Sequence, residues 1–298
     1  MAPSETITKV KKKYEAAWGS YLAVAEQVAR EEGQNLARLL GRCLHARGVH
    51  AHKDWRGYLP QMGGFDLSPR VPGVSQIAYY TSVVVELLRQ YVPADAQRIV
   101  EMGSGWGAII SSFWLAGGPR DAAYYALEYT DNGQAITRLL AGAEPRFHLT
   151  CLPFDYYDAD FSRLDGAAAA AAGAPPKTVL YSIFSIEQIT ELPDSLIERM
   201  LAVPGFDRAI HIEPVGWQFR RNGLGARIDA LLERLGIPAL TRRTATARRC
   251  RKTGFNRNLV ELLRRHEAAG RIVIEAIDID IVSPHPGNAG TLIVWRKA

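Results

Sequence analysis

Apolar residues recur every three or four positions from residue 4 to about 46, with Tyr14, Trp18, Tyr21, Val24 and Val28 along one stripe. This predicts an amphipathic helical arm, with Ser4 or Thr6 as its capping hydroxyl. From Gly48 to Gly73 the chain reads GVHAHKDWRGYLPQMGGFDLSPRVPG. Glycine, proline, histidine and aromatic residues break the periodicity there and predict an extended connection laid over the core. Helical spacing returns over Ser75 to Tyr91.

After Pro93 the pattern changes to short apolar or β-branched runs: RIVEM, AAYYALEY, FHLTCL, TVLYSIF, RAIHIEP, IVIEAIDIDIV and TLIVWRK. Helical lengths separate the first five, as in parallel βαβ units. The last two are joined only by SPHPGNAG, too short for a crossover helix, so they must pair antiparallel. The expected fold is α/β, a Rossmann-like seven-stranded sheet, mostly parallel, with a helical extension in front. Residues 1–92 would form the arm and a lid-like connection, and residues 93–298 the main domain. The alanine-rich stretch Gly166 to Pro176 reads as a tolerant surface loop.

Composition narrows the class. The chain has 298 residues, 47% hydrophobic and 22% charged, close to globular averages. No run approaches the ~18 apolar residues of a membrane helix, and three lysines stand in a row where a signal peptide needs its apolar region; a cytoplasmic location is expected. Cys43, Cys151 and Cys250 show no Cys-x-x-Cys spacing, so no disulfide framework and no metal site is suggested. The net charge is +5, yet Arg242, Arg243, Arg248, Arg249, Arg251, Lys252 and Arg257 lie within one acid-free stretch. The basicity is therefore one local patch and not a global nucleic-acid footprint.

The sharpest signal is RIVEMGSGWGAIISSFWLAG, where a strand runs through Gly103, Ser104, Gly105 and Gly107 into a helix. Glycines permit a tight turn and close backbone approach to a ligand at the helix N-terminus. Glu128 closes the next strand, where a carboxylate can accept both hydrogen bonds of a ribose diol. Asp155 follows the third run, positioned to accept from an adenine amino group with Phe154 or Tyr156 against the ring. Ala108 completes a G-x-G-x-x-A pattern, so a dinucleotide must be weighed. However, Glu101, two residues before the first glycine, would repel a pyrophosphate and attract a cationic amino-acid head group.

These residues resemble the class I S-adenosylmethionine-dependent methyltransferases, whose acid-x-Gly-x-Gly-x-Gly pattern matches Glu101 to Gly107 without a gap, over roughly Pro93 to Ala298. The resemblance implies a seven-stranded sheet with an antiparallel last strand and S-adenosyl-L-methionine as cofactor. Glu101 would lie near its methionine end, Glu128 on the ribose, and Asp155 with Tyr156 at the adenine.

Methyl transfer needs an acceptor lone pair aligned with the donor carbon and, for a hydroxyl or ammonium, a base. The candidates after strands four and five are Glu187, His211 and Glu213, the last two sharing one face of a strand that Pro214 ends. His285 is a weaker one. Asn256, Asn258 and Trp217 are candidate substrate contacts, although Asn at a helix start is often only a cap. FNRNLV, HPGN and TLIVW also look like bacterial methyltransferases of sugars and small natural products. The expected activity is methyl transfer to O or N of a small polar molecule. Two alternatives remain at this level: an RNA or DNA methyltransferase using the patch at 242–257, against which no Asn-Pro-Pro-Tyr-type tetrapeptide follows strand four, and a non-catalytic nucleotide-binding protein of the same fold. Neither a membrane nor nucleic acid is an expected partner, and self-association is left open.

Overall fold

The computed structural model describes residues 3–33, 35–50, 76–164, 175–219, 250, 253–282 and 288–298. Seven strands form one sheet: β1 (Arg98–Met102), β2 (Ala123–Glu128), β3 (Leu149–Pro153), β4 (Thr178–Ile183), β5 (Phe206–Glu213), β6 (Ile272–Val282) and β7 (Gly290–Lys297). Their order is β3-β2-β1-β4-β5-β7-β6. β1 to β5 pair parallel, and β7 runs antiparallel to both neighbours. Each strand grows from one of the seven apolar runs. The antiparallel last strand is the arrangement that the resemblance implied.

Period-two alternation sends the strand side chains into two layers. Ile99, Tyr124, Val179, Tyr181, Ile210 and Val294 meet the helices α3 (Gln76–Tyr91), α4 (Ala108–Leu115) and α5 (Asp131–Gly142). Val100, Leu127, Leu180, Ala209 and Trp295 belong to the opposite cluster, with α6 (Leu196–Leu201) and α7 (Leu259–Ala268). β1 and β4 are buried at every position, Arg98 and Glu101 of β1 and Thr178 and Ser182 of β4 included.

The N-terminal arm is not one helix. It is α1 (Pro3–Glu32) and α2 (Leu36–His50), broken at Gly33, whose φ is 62°. Asn35 restarts the helix, its Oδ1 accepting from Arg38 N at 3.0 Å as an N-cap. Periodicity on both sides of the break hid it in the sequence. α2 also runs past residue 46 into the start of the expected connection. Trp18, Ala25 and Val28 of α1 and Leu36, Leu39 and Leu40 of α2 share one apolar cluster with α3, α4, α5 and the sheet.

The rest of the connection, the alanine-rich stretch, most of the basic patch and His285 lie outside the described residues. Among the described residues, all three cysteines are free, and no helix is long and apolar enough to cross a membrane.

Candidate active site

In an open parallel sheet, ligand sites form beyond the carboxyl ends of the strands where the strand order reverses. Here the reversal lies between β1 and β4, and a cavity of about 290 Å³ opens there. Its wall is drawn from the residues after β1 (Gly103 to Ile109), β2 (Glu128 to Thr130), β3 (Phe154 to Tyr157) and β4 (Ile183 to Ile189). Lys11, Tyr14 and Trp18 of α1, Tyr80 and Thr81 of α3, and Asn288 complete it.

The glycine turn is shaped by what touches it. Gly103 has φ 67°, and a Cβ there would lie 2.5 Å from Ser185 Cβ. Gly105 has φ 59°, with Trp18 Cζ2 3.2 Å from the place a Cβ would take. Any larger residue meets both backbone strain and a neighbouring side chain. Ser104 N donates to Leu127 O at 2.9 Å and ties the turn to β2.

Both acids of the glycine motif are buried. Glu101 Oε2 accepts from Ile110 N at 3.0 Å and from Tyr181 Oη at 3.3 Å. Burial pushes its carboxyl up to about 8, the backbone and tyrosine donors only partly offsetting that. Glu128 Oε2 accepts from Gly105 N at 2.8 Å, and its Oε1 takes both the N–H and the hydroxyl of Thr130. It therefore braces the glycine turn from the cavity wall, and burial raises its carboxyl above the ordinary range. Asp155 lines the cavity with Oδ1 accepting from Tyr157 N at 2.9 Å.

Two donors in the turn have no partner. Ser104 Oγ and the Trp106 indole Nε1 are buried and make no hydrogen bond, and both residues line the cavity. An unmade buried bond costs ~1–3 kcal/mol, and each such group calls for a reason. Trp106 was not among the site residues expected from the sequence, nor were Lys11, Tyr80 or Asn288, and Tyr14 and Trp18 were read only as part of an apolar stripe; an aromatic residue between two motif glycines was the one available signal.

Tyr156 lines the cavity and also ties its wall together. Its hydroxyl lies 2.9 Å from Met102 O and 2.7 Å from Ser185 Oγ, fastening the loop after β3 to the ends of β1 and β4. Phe154 meets the Tyr156 ring edge-on, with centroids 5.0 Å apart.

Of the three expected acceptor-side residues, only Glu187 lines the cavity. Its carboxylate accepts from Gln188 Nε2 and, at 2.9 Å, from Asn288 Nδ2. Glu213 is fully buried behind it. Its Oε1 accepts from Ser185 N at 3.2 Å and Ile186 N at 3.1 Å, and its Oε2 from Glu187 N at 3.2 Å. It is the acceptor for the short 3₁₀ turn Ile186–Gln188. Burial, with the Glu187 charge adding to it, pushes the Glu213 carboxyl up to about 8.

His211 does not line the cavity either. Trp295 Nε1 donates to its Nε2 at 3.0 Å, so the ring proton sits on Nδ1 and is given to Ser182 Oγ at 2.9 Å. Burial holds this imidazole down at about 3, neutral at any ordinary pH. Same-face placement with Glu213 was right; the face they share is packed with core and not with ligand space.

Asn256 and Asn258 are spent on the backbone. Asn256 Oδ1 accepts from Leu259 N at 2.9 Å and its Nδ2 donates to Ile189 O at 2.9 Å. Asn258 brackets Leu192 through both N and O at 2.9 Å. They stitch the start of α7 to the segment after β4 and do not line the cavity. Trp217, in the 3₁₀ turn Gly216–Phe219, also lies outside it.

No family model and no curated protein sequence matches the chain. Among solved structures, an O-methyltransferase from Bacillus cereus in complex with SAH is similar over 94% of this chain and 100% of its own, at 13% identity and a TM-score of 0.45. A putative O-methyltransferase from Klebsiella pneumoniae is similar over 95% of this chain and 100% of its own, at 15% identity and a TM-score of 0.43. A magnesium protoporphyrin IX methyltransferase from Synechocystis PCC 6803 with bound SAH covers 74% of this chain and 83% of its own, at 12% identity and a TM-score of 0.43.

Proposed function

We propose that this chain is an S-adenosyl-L-methionine-dependent methyltransferase of the cytoplasm that acts on O or N of a small polar molecule. The observation that carries the reading is one cavity whose wall joins the glycine turn, Glu101, Glu128 and Asp155 with two buried donors that lack partners. That donor and acceptor set fits the cofactor. Glu128 keeps a lone pair on Oε2 beyond its Gly105 bond for a ribose hydroxyl. Asp155 and Phe154 suit the adenine, and Glu101 suits an ammonium, which would favour its ionised form.

Bound there, S-adenosylmethionine supplies an electrophilic methyl group. The chain's own work is to hold the acceptor in line and keep water out. Tyr80 and Phe184, edge-on with ring centroids 5.5 Å apart, form an aromatic wall on the β4 side. Glu187 is the acid beside it, and we assign it the task of orienting the acceptor or taking its proton. Glu213 acts through Glu187, by fixing the backbone turn that presents it.

Calorimetric titration with S-adenosylhomocysteine tests the reading. The native protein should bind it, and bind NAD far more weakly. Glu128→Ala should lower the affinity by ~10-fold or more, since a hydrogen bond to a charged group contributes ~1.5–3 kcal/mol. Tighter binding of NAD than of S-adenosylhomocysteine would overturn the assignment.

A further inference from the structure

Phe184 is the first residue past β4, and its backbone stands in the left-handed region at φ 48°. A bulky side chain is an outlier there, where glycine or asparagine is usual. The chain is held in that conformation from both sides. Phe184 N still donates to Ile212 O at 3.0 Å as the ladder with β5 ends, and the next amide, Ser185 N, is taken by Glu213 Oε1. The conformation places a ring. Phe184 is half-buried, packed on the core on one side and lining the cavity on the other, with Tyr80 edge-on to it. Room for the ring comes from Gly290 of β7, where a Cβ would lie 2.7 Å from Phe184 Cζ. Two residues before Gly290, Asn288 Nδ2 donates to the Glu187 carboxylate. One short segment thus makes space for the ring and orients the acid three residues beyond it. The neighbouring polar groups are committed to the protein: Ser185 Oγ donates to Met102 O, and Gln188 Nε2 donates to Glu187 itself. The wall after β4 therefore presents an aromatic face and one acid, which suits a flat ring with one polar position better than a ring with a hydroxyl on every carbon.

We infer that the acceptor is a flat, unsaturated ring that packs against Phe184 and Tyr80 and points its hydroxyl or amino group at Glu187. The inference rests on the proposed function and narrows its acceptor to one chemical class. It explains why an aromatic residue is kept at a backbone position that favours glycine, and why β7 begins with a residue that has no side chain. Aromatic pairs gain from offset stacking or edge-on contact beyond the area they bury, whereas a saturated ring gains from area alone.

The test uses the full chain saturated with S-adenosylhomocysteine and two matched pairs of alcohols: benzyl alcohol with cyclohexylmethanol, and 2-naphthalenemethanol with its fully hydrogenated counterpart. Within each pair the hydroxyl is the same and only the ring changes. Calorimetry should show the flat member of at least one pair binding ~3- to 10-fold more tightly than its saturated partner. Phe184→Leu should lose most of that preference while its affinity for S-adenosylhomocysteine stays native, and Gly290→Ala, whose methyl group displaces the ring, should lose it too. A preference that survives in Phe184→Leu makes the ring a packing residue, and the inference falls. Should neither variant fold, the native protein still decides, because equal affinities within both pairs, or saturable binding of neither flat probe, overturn the inference while leaving the proposed function standing. A native protein that does not bind S-adenosylhomocysteine overturns the proposed function itself, and the inference with it.

Discussion

Glu213→Gln separates a base in the chemical step from a group that holds the backbone. In the native chain three N–H groups, from Ser185, Ile186 and Glu187, converge on the two carboxyl oxygens at 3.1 to 3.2 Å. Glutamine keeps one oxygen, enough for the pair that Oε1 serves, and puts an NH₂ group where Glu187 N needs an acceptor. One bond is lost, and a donor then faces a donor in a site with no solvent exposure. The expected cost is ~1–3 kcal/mol of unfolding free energy. Glu213→Ala strands all three amides, at roughly 3 kcal/mol or more. Urea unfolding of native, Glu213→Gln and Glu213→Ala measures this directly, and S-adenosylhomocysteine titration of the same variants shows whether the cofactor end is spared. It should be spared, because Glu213 does not line the cavity. An unfolding midpoint and slope unchanged in Glu213→Gln, together with methyl transfer reduced ~100-fold or more in a single turnover, would return Glu213 to the chemistry and refute the capping argument.

Three other outcomes are expected. Glu101 and Glu213 keep a proton in the folded state between the ordinary 4.5 and about 8 that the unfolded chain has released; stability should therefore fall as pH rises through that window, by up to about 1.4 kcal/mol per pH unit for each group, with Glu128, also raised by burial, adding in the same direction, and Glu101→Gln should make the slope measured between pH 6.5 and 8 shallower. His211, held at about 3 against an ordinary 6.5, binds its proton only in the unfolded chain over that range, so its contribution is lost as pH drops from 6.5 towards 3; His211→Phe, which leaves Trp295 Nε1 and Ser182 Oγ without their partner, should destabilise by ~1–3 kcal/mol yet bind S-adenosylhomocysteine like the native protein. Glu15 accepts from Asp131 N and Asn132 N at 2.9 Å each, and Glu15→Ala should cost ~1 kcal/mol in urea unfolding as a lost helix cap; an unchanged midpoint would show that this side-chain cap does not help to hold α1.

The sheet was legible because its strands are short, buried and separated by helical spacing, and the Pro- and Gly-rich connection before TLIVWRK left an antiparallel pairing as the workable geometry. The glycine turn and the acid ending β2 were legible because a ligand-facing backbone needs both within a few residues of a strand end. What eluded the sequence was partnership across the chain. An acid at the tip of β5 looks ligand-facing until three amides from the segment after β4 are seen to converge on it. Asn256 and Asn258 look like ligand contacts until Ile189 and Leu192 take their amides. The contribution of α1 depends on Glu15 and Trp18 reaching residues far along the chain, Asp131 and Gly105, and no local period encodes that.

The polar chain of Ser182, His211 and Trp295 crosses three neighbouring strands, β4, β5 and β7, and this gives the sheet a register lock. Residues 283–289 between β6 and β7 are too many to dictate alignment as a two-residue hairpin turn does, and the β6–β7 ladder itself shifts register twice. Slipping β7 by one residue along β5 would turn Trp295 to the opposite face of the sheet, and slipping it by two would carry the indole ~6.8 Å away from the imidazole. Either error leaves two buried polar groups, the Trp295 indole N–H and the His211 Nε2, without their partner. A buried histidine outside the cavity thus tells the one strand that runs against its neighbours where to stop.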